Sequence, residues 1–179
     1  GDGVFMFAPG NARYGAKIDF LKEVGATHDP DRLLRIEKFT YIAEDAAADI
    51  ALARIALPGQ NARFSPEPIP LAAKDAQEGE CVAVIGFPAK DSLRNDPTQM
   101  ANYFNALYDV KRFSPGFLKE AGGMTILRHD CTTLGGNSGS PVISLDSGKA
   151  VGLHYAGTFG VGNSAVRIST VNALLDGAT

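Results

Sequence analysis

The chain has 179 residues, 45% of them apolar and 21% charged, enough to bury a core and too apolar for a disordered segment. A net charge of −3 excludes a non-specific nucleic-acid binder, which needs a basic surface, and no stretch approaches the roughly 20 apolar residues of a membrane-spanning helix. With only Cys81 and Cys131, the chain is neither a disulfide-stapled mini-fold nor a four-cysteine zinc site.

Twenty glycines and ten prolines predict short strands joined by turns. Val4 to Phe7 is a short apolar run closed by Pro9-Gly10, and the start at Gly1-Asp2-Gly3 fits a chain cut from something longer. Leu34, Ile36, Phe39 and Tyr41 lie in a segment of alternating character. Asp49 to Leu57 continues it, with Ile50 and Leu52 on one face, and stops at Pro58-Gly59. Phe64 to Pro70 carries Pro66, Pro68 and Pro70 and reads as an extended linker between two halves, residues 1–75 and 76–179.

The second half opens on an apolar strand from Glu80 to Pro88. Asp91 to Gly123 carries the weakest signal; Met100 to Tyr108 suits a turn or two of helix, or a strand after a polar loop. Further strands are expected at Met124 to Arg128, Pro141 to Leu145, Ala150 to Tyr155 and Ser164 to Ile168, with Asp146-Ser147-Gly148-Lys149 as a hairpin turn. Thr170 to Leu175 reads as a closing helix capped by Ser169 or Thr170. Short strands and one terminal helix predict an antiparallel barrel or sandwich.

One segment carries chemistry: Thr132-Thr133-Leu134-Gly135-Gly136-Asn137-Ser138-Gly139-Ser140-Pro141-Val142. Glycines around a serine let the backbone turn tightly and leave the hydroxyl uncrowded. They also let the amides of Gly136 and Ser138 face one small space, where they could stabilise an oxyanion. A flexible loop of small polar residues is the plain alternative. An α/β-hydrolase elbow fails because Ser140 stands where it needs glycine, and a phosphate loop fails for want of Gly-Lys-Ser/Thr.

Gly136 to Val142 resembles the nucleophile motif of chymotrypsin-fold serine peptidases, closest to the bacterial glutamyl-endopeptidase-like branch. Asp49-Ile50-Ala51-Leu52 resembles the strand that supplies the triad aspartate, Gly86-Phe87-Pro88 the start of the second barrel, and Val151 to Gly157 the strand that pairs with substrate backbone. The resemblance runs from about Ile36 to the C-terminus. It implies an all-β fold of two antiparallel six-stranded barrels, the N-terminal one incomplete, with a short C-terminal helix. It implies Ser138 as nucleophile, Asp49 as the residue orienting a histidine, and the Gly136 and Ser138 amides as oxyanion donors. Thr132, Thr133, Leu134, Gly135, His154, Tyr155, Ala156 and Gly157 would then bind substrate, with no cofactor or metal.

The chain departs from the family at its histidine. That residue should precede the aspartate by some 40 residues, yet His129 and His154 follow it, and His28, 21 residues ahead, lies in a polar turn. The expected position falls at or before residue 1, so an upstream segment of the same protein is expected to supply the imidazole. The other reading is a noncatalytic module that holds a peptide strand.

Thr133 and His154 stand where the glutamyl endopeptidases read an acidic side chain, and Thr132 stands where a preference for Lys or Arg would need an acid. Asn137, uncharged, cannot form the ion pair that trypsin-like zymogens make with a freed N-terminus. His129-Asp130-Cys131 lacks the second pair a metal site needs. Cys81, mid-strand, reads as a buried small hydrophobe. Neither cysteine matches the positions bridged in secreted trypsins, which leans toward a bacterial cytoplasmic protein. A peptide or protein is the expected substrate, with neither nucleic acid nor membrane as partner.

Overall fold

In the second half of the chain, each strand places one or two apolar side chains on a common interior, and the sheet closes on itself around them. The computed structural model describes residues 16–43, 49–57, 59, 63–91, 93, 95–121, 123–158 and 160–177. The apolar run Val4 to Phe7 and the stop at Pro58 lie outside these residues.

The chain divides into two compact units. The first holds a three-stranded antiparallel sheet of β1 (Lys17–Asp19), β2 (Leu33–Ile42) and β3 (Ala51–Ile55), in that order. The alternation from Leu34 to Tyr41 forms β2 as expected. Among the described residues this sheet stays open, so a complete first barrel is not found.

The second unit is a closed barrel of β4 (Cys81–Gly86), β5 (Arg112–Glu120), β6 (Ile126–His129), β7 (Pro141–Ser144), β8 (Ala150–Thr158) and β9 (Gly162–Arg167). The strands follow one another around it as β4-β5-β6-β9-β8-β7, and every pairing is antiparallel. Val82 and Val84 of β4, Leu118 of β5, Leu127 of β6, Val142 of β7, Val151 of β8 and Ala165 of β9 meet inside, together with Cys131. Closure leaves this barrel without an edge strand.

Among the described residues two helices accompany the sheets, so the fold is mostly rather than wholly β. Helix α1 (Pro97–Phe104) has a sharp start: Asp96 accepts from the amides of Thr98 and Gln99, and Pro97 occupies the first turn. It buries Met100 and Phe104 and ends at Asn105, whose φ of 53° is left-handed. Helix α2 (Ile168–Gly177) begins directly from β9. Ser169 therefore lies inside its first turn, and the carboxylate of Asp75 accepts there from the Ser169 amide and hydroxyl at 3.0 and 2.9 Å.

One further expectation needs correction. Cys81 faces solvent, since neighbours along a strand point to opposite sides and Val82 takes the interior. The stretch with the weakest sequence signal holds a full strand, β5, as well as α1.

Candidate active site

The loop between Cys131 and β7 is held from three directions. Asn95, 3% exposed, reaches it from the segment before α1. Its Nδ2 donates to the carbonyls of Ala89 and Gly135 at 2.6 and 2.9 Å, and its Oδ1 accepts from the Gly135 amide at 2.7 Å. From β8, the carbonyl of His154 accepts from the Gly139 amide at 2.7 Å, and the His154 amide donates to the Ser140 carbonyl at 2.8 Å. From within, Asn137 is buried and its Nδ2 donates to the Leu134 carbonyl at 2.6 Å.

These bonds leave a pattern in the loop amides. Gly135 donates to Asn95, Asn137 to Leu134 (3.3 Å), Gly139 to His154 and Ser140 to Asn137 (3.1 Å). Among the described residues, Gly136 and Ser138 alone in this run find no acceptor for their amides. Both residues are exposed. Polar groups in a folded chain are nearly always paired unless water or a ligand reaches them, so this pair of donors is available to an incoming carbonyl. The Ser138 hydroxyl donates to the Tyr155 carbonyl at 2.9 Å.

Gly136 adopts φ = +101°, a region that side chains disfavour. A Cβ there would meet the Ala89 nitrogen at 2.5 Å and the Phe87 oxygen at 2.7 Å. The close approach of β4's exit to the loop therefore demands glycine.

Beside the loop opens a cavity of about 260 Å³, walled by Thr132 and Thr133 on one side and Thr158 and Gly162 on the other. Asn163 ties the walls together. Its Nδ2 donates to the carbonyls of His129 (3.4 Å) and Cys131 (2.8 Å), and its Oδ1 accepts from Thr133 at 2.7 Å. Since both amide donors point at carbonyls, Oδ1 is fixed as the acceptor, and the Thr133 proton is committed to it. Gly157 lies against the same amide, where any side chain would collide. Asp130 also borders the cavity; its carboxylate accepts from the Phe117 amide at 2.6 Å and pairs with Lys119 at 2.7 Å.

His154 is buried rather than lining the cavity, and its Nδ1 stands 3.1 Å from Nε2 of His129. Burial pushes both imidazoles down to about 4, the neighbouring ring adding to the effect on His129 while Asp130 opposes it. Both rings are neutral at pH 7. Burial first, then the Asp130 charge, raises the Cys131 thiol to about 12.

The other expected residues are scattered around this loop and beyond it. Leu134 and Gly135 are part-buried in the loop, and Ala156 and Gly157 pair with Ser164 and Asn163 of β9. Asp49 is exposed, directly before the buried Ile50 at the entry to β3, and groups with the barrel unit. No hydrogen bond or ion pair joins its carboxylate to the Ser138 loop among the described residues. His28 is exposed in the loop before the 3-10 turn Pro30–Arg32. Sequence reasoning misses Asn95, Asn163 and the pairing of His129 with His154. The helix start at Asp96-Pro97 is legible, but nothing in the chain announces that the preceding asparagine reaches a loop 40 residues away.

A sequence profile of the Trypsin-like peptidase domain matches residues 16–153. The chain belongs to this family. As a trypsin-like peptidase domain it is 35% identical, over 136 residues, to a probable serine protease of Lysobacter enzymogenes, a match that takes in 66% of this chain and 35% of that protein. The chain thus spans little more than a third of the curated relative it matches. The active form of the Rv3671c protease from M. tuberculosis superposes with a TM-score of 0.57 at 17% identity, over 83% of this chain and 60% of that one. The inactive form gives 0.54 at 18% identity, over 83% and 69%. At such identities the likeness is one of fold. The trypsin-like domain carries its Gly-Asn-Ser-Gly loop on the closed six-stranded barrel.

Proposed function

We propose that the protein is a serine endopeptidase working through an acyl-enzyme, with Ser138 as the nucleophile and the amides of Gly136 and Ser138 as oxyanion donors. The observation that carries this reading is that, among the described residues, those two amides alone remain unpaired in the 135–140 run, beside an exposed hydroxyl. Ser138 Oγ attacks the scissile carbonyl and loses its proton to an imidazole; the carbonyl oxygen becomes an anion that two N–H groups hold. Collapse expels the amine, which takes that proton, and water then releases the acyl group by the same route.

The imidazole must come from elsewhere. His129 and His154 are buried against each other and His28 is exposed in a loop, so we assign the general base to polypeptide upstream of these residues, with Asp49 orienting it. The same assignment makes the three-stranded sheet the remnant of an N-terminal barrel, with the boundary between the halves near residue 75. Asn137 turns inward to Leu134, so activity is independent of a freed N-terminal ammonium at this position.

The cavity beside the loop is the place for the side chain preceding the scissile bond. An acidic preference rests on the Thr133 hydroxyl and the His154 ring, and the ring is buried outside the cavity lining. It is weakened by the Thr133 proton being committed to Asn163 and by the Asp130 carboxylate at the rim. Cleavage of a peptide library by the full-length protein decides it; cuts mainly after residues other than Glu or Asp remove the glutamyl reading without touching the peptidase one.

The direct experiment is labelling of the full-length protein with a phosphonofluoridate probe. Modification confined to Ser138 and lost in Ser138→Ala is expected. A protein that hydrolyses no peptide or ester and takes no label is a peptide-holding module instead.

A further inference from the structure

Asn95 is an asparagine with almost no solvent contact, on a segment that contributes no residue to the expected machinery. Its neighbours on both sides fix its place: Asp96 caps α1, and the Asn95 amide donates to the Asp91 carbonyl at 2.8 Å. The side chain is then committed to one target, bonding both the N–H and the C=O of Gly135 while also holding Ala89. The Ala89 amide donates to the same Gly135 oxygen at 2.9 Å.

The consequence comes from the geometry of the next peptide group. In a trans peptide the C=O and the following N–H point in opposite directions. With the Gly135 oxygen drawn to Asn95 and Ala89, the Gly136 N–H is turned the other way, where no described protein group accepts it. Two consecutive glycines put little steric resistance in the way of a flip of this peptide. A flipped peptide would present a carbonyl oxygen where an oxyanion must sit, and the repulsion would replace a hydrogen bond.

We propose that Asn95 is a positioning residue for the oxyanion site: it pins the Gly135–Gly136 peptide in the orientation that offers the Gly136 N–H to the substrate carbonyl. This rests on the peptidase reading. Asn95 never meets substrate, and a purely structural asparagine would change stability while leaving turnover per folded molecule alone.

The test uses the full-length protein and two variants, Asn95→Ala and Asn95→Asp. The aspartate keeps the side-chain volume should the alanine variant fail to fold, and it still accepts from Gly135 N–H while losing the donor to the two carbonyls. Both are expected to lower kcat on an ester substrate about 100- to 1000-fold with KM within about threefold. Crystals of either should show the Gly135–Gly136 peptide turned over. The proposal fails if the peptide keeps its orientation in the variants, or if it turns and kcat stays within about threefold of the parent. A parent protein that neither turns over ester nor labels at Ser138 sinks the peptidase reading by itself; the peptide's orientation in the variant crystals then judges the pinning alone.

Discussion

Glycines 136 and 139 flank the serine and look alike in sequence, yet the structure asks different things of them. Both have positive φ, +101° and +88°. A Cβ at Gly139 would meet open space, whereas one at Gly136 would press on the backbone of Ala89 and Phe87, which cannot step aside. Gly139→Ala should therefore cost only the backbone strain, about 1 kcal/mol of stability. Gly136→Ala must move the peptide that bears the proposed oxyanion donor, and on that reading kcat should fall about 100-fold or more. Ester turnover and urea midpoints of the two variants check this, and equal effects on kcat would count against the assignment of the Gly136 amide. The cysteines differ by the same kind of local fact. Cys81 is exposed, while Cys131 is buried with its thiol pushed up to about 12, so it holds no thiolate at pH 8. One thiol per chain is expected to react with a disulfide reagent in the native protein and two in denaturant.

Of the two described helices, α2 is the one whose start is held by a distant part of the chain. Asp75, in the extended segment before β4, accepts from the Ser169 amide and hydroxyl and from Arg167 Nη1 at 3.1 Å. Burial raises its carboxyl, but the Ser169 and Arg167 bonds outweigh it and hold the group below its usual value. Asp75→Asn should lower stability by about 1–2 kcal/mol, read as a shift in the urea midpoint at pH 7. A folded pKa below the unfolded one stabilises above the unfolded value and loses that contribution as pH falls through the folded one. The difference between variant and parent should therefore close in strong acid. Sequence reaches α2 but not its cap, because the capping group lies 94 residues upstream. It reaches the barrel strands that begin and end on glycine, proline or a turn. It misses β5 because Pro115-Gly116 in the middle of Arg112–Glu120 reads as a breaker. The structure tolerates that pair because β6 joins β5 only from Leu118 onward, so no ladder bond to β6 is asked of Pro115. Gly116 is needed, since a Cβ there would strike the Cys131 backbone at 2.7 Å. The turn around Ser138 is legible because its glycines, Gly136 and Gly139 at positive φ, act locally. Asn95 and Asn163 are not, because each acts through a contact between distant stretches of chain that no spacing encodes.

At the scale of the barrel, the histidine pair is the feature with the widest reach. His129 on β6 and His154 on β8 meet past the intervening β9, so one buried contact spans three strands of the closed sheet. The backbone of His154 also grips the serine loop on both sides, through Gly139 and Ser140. Burial lowers both rings from 6.5 to about 4, which means the folded barrel accommodates them only as neutral groups. The unfolded chain takes up protons first as pH falls from 6.5, so the folded state loses ground across the window from about 6.5 to 4 and none above it. For the first proton the loss is on the order of 3 kcal/mol. Asp75 and Asp130 do not confound this range. Burial raises both carboxyls, but hydrogen bonds from Ser169 and Arg167 in one case, and from Lys119 and Phe117 in the other, bring them below their ordinary values. The urea midpoint should therefore drop between pH 7 and pH 4.5 while secondary structure at zero denaturant stays intact. A midpoint flat across that interval would mean that a water or a rearranged ring carries the charge, and that the two imidazoles are not locked against each other in solution.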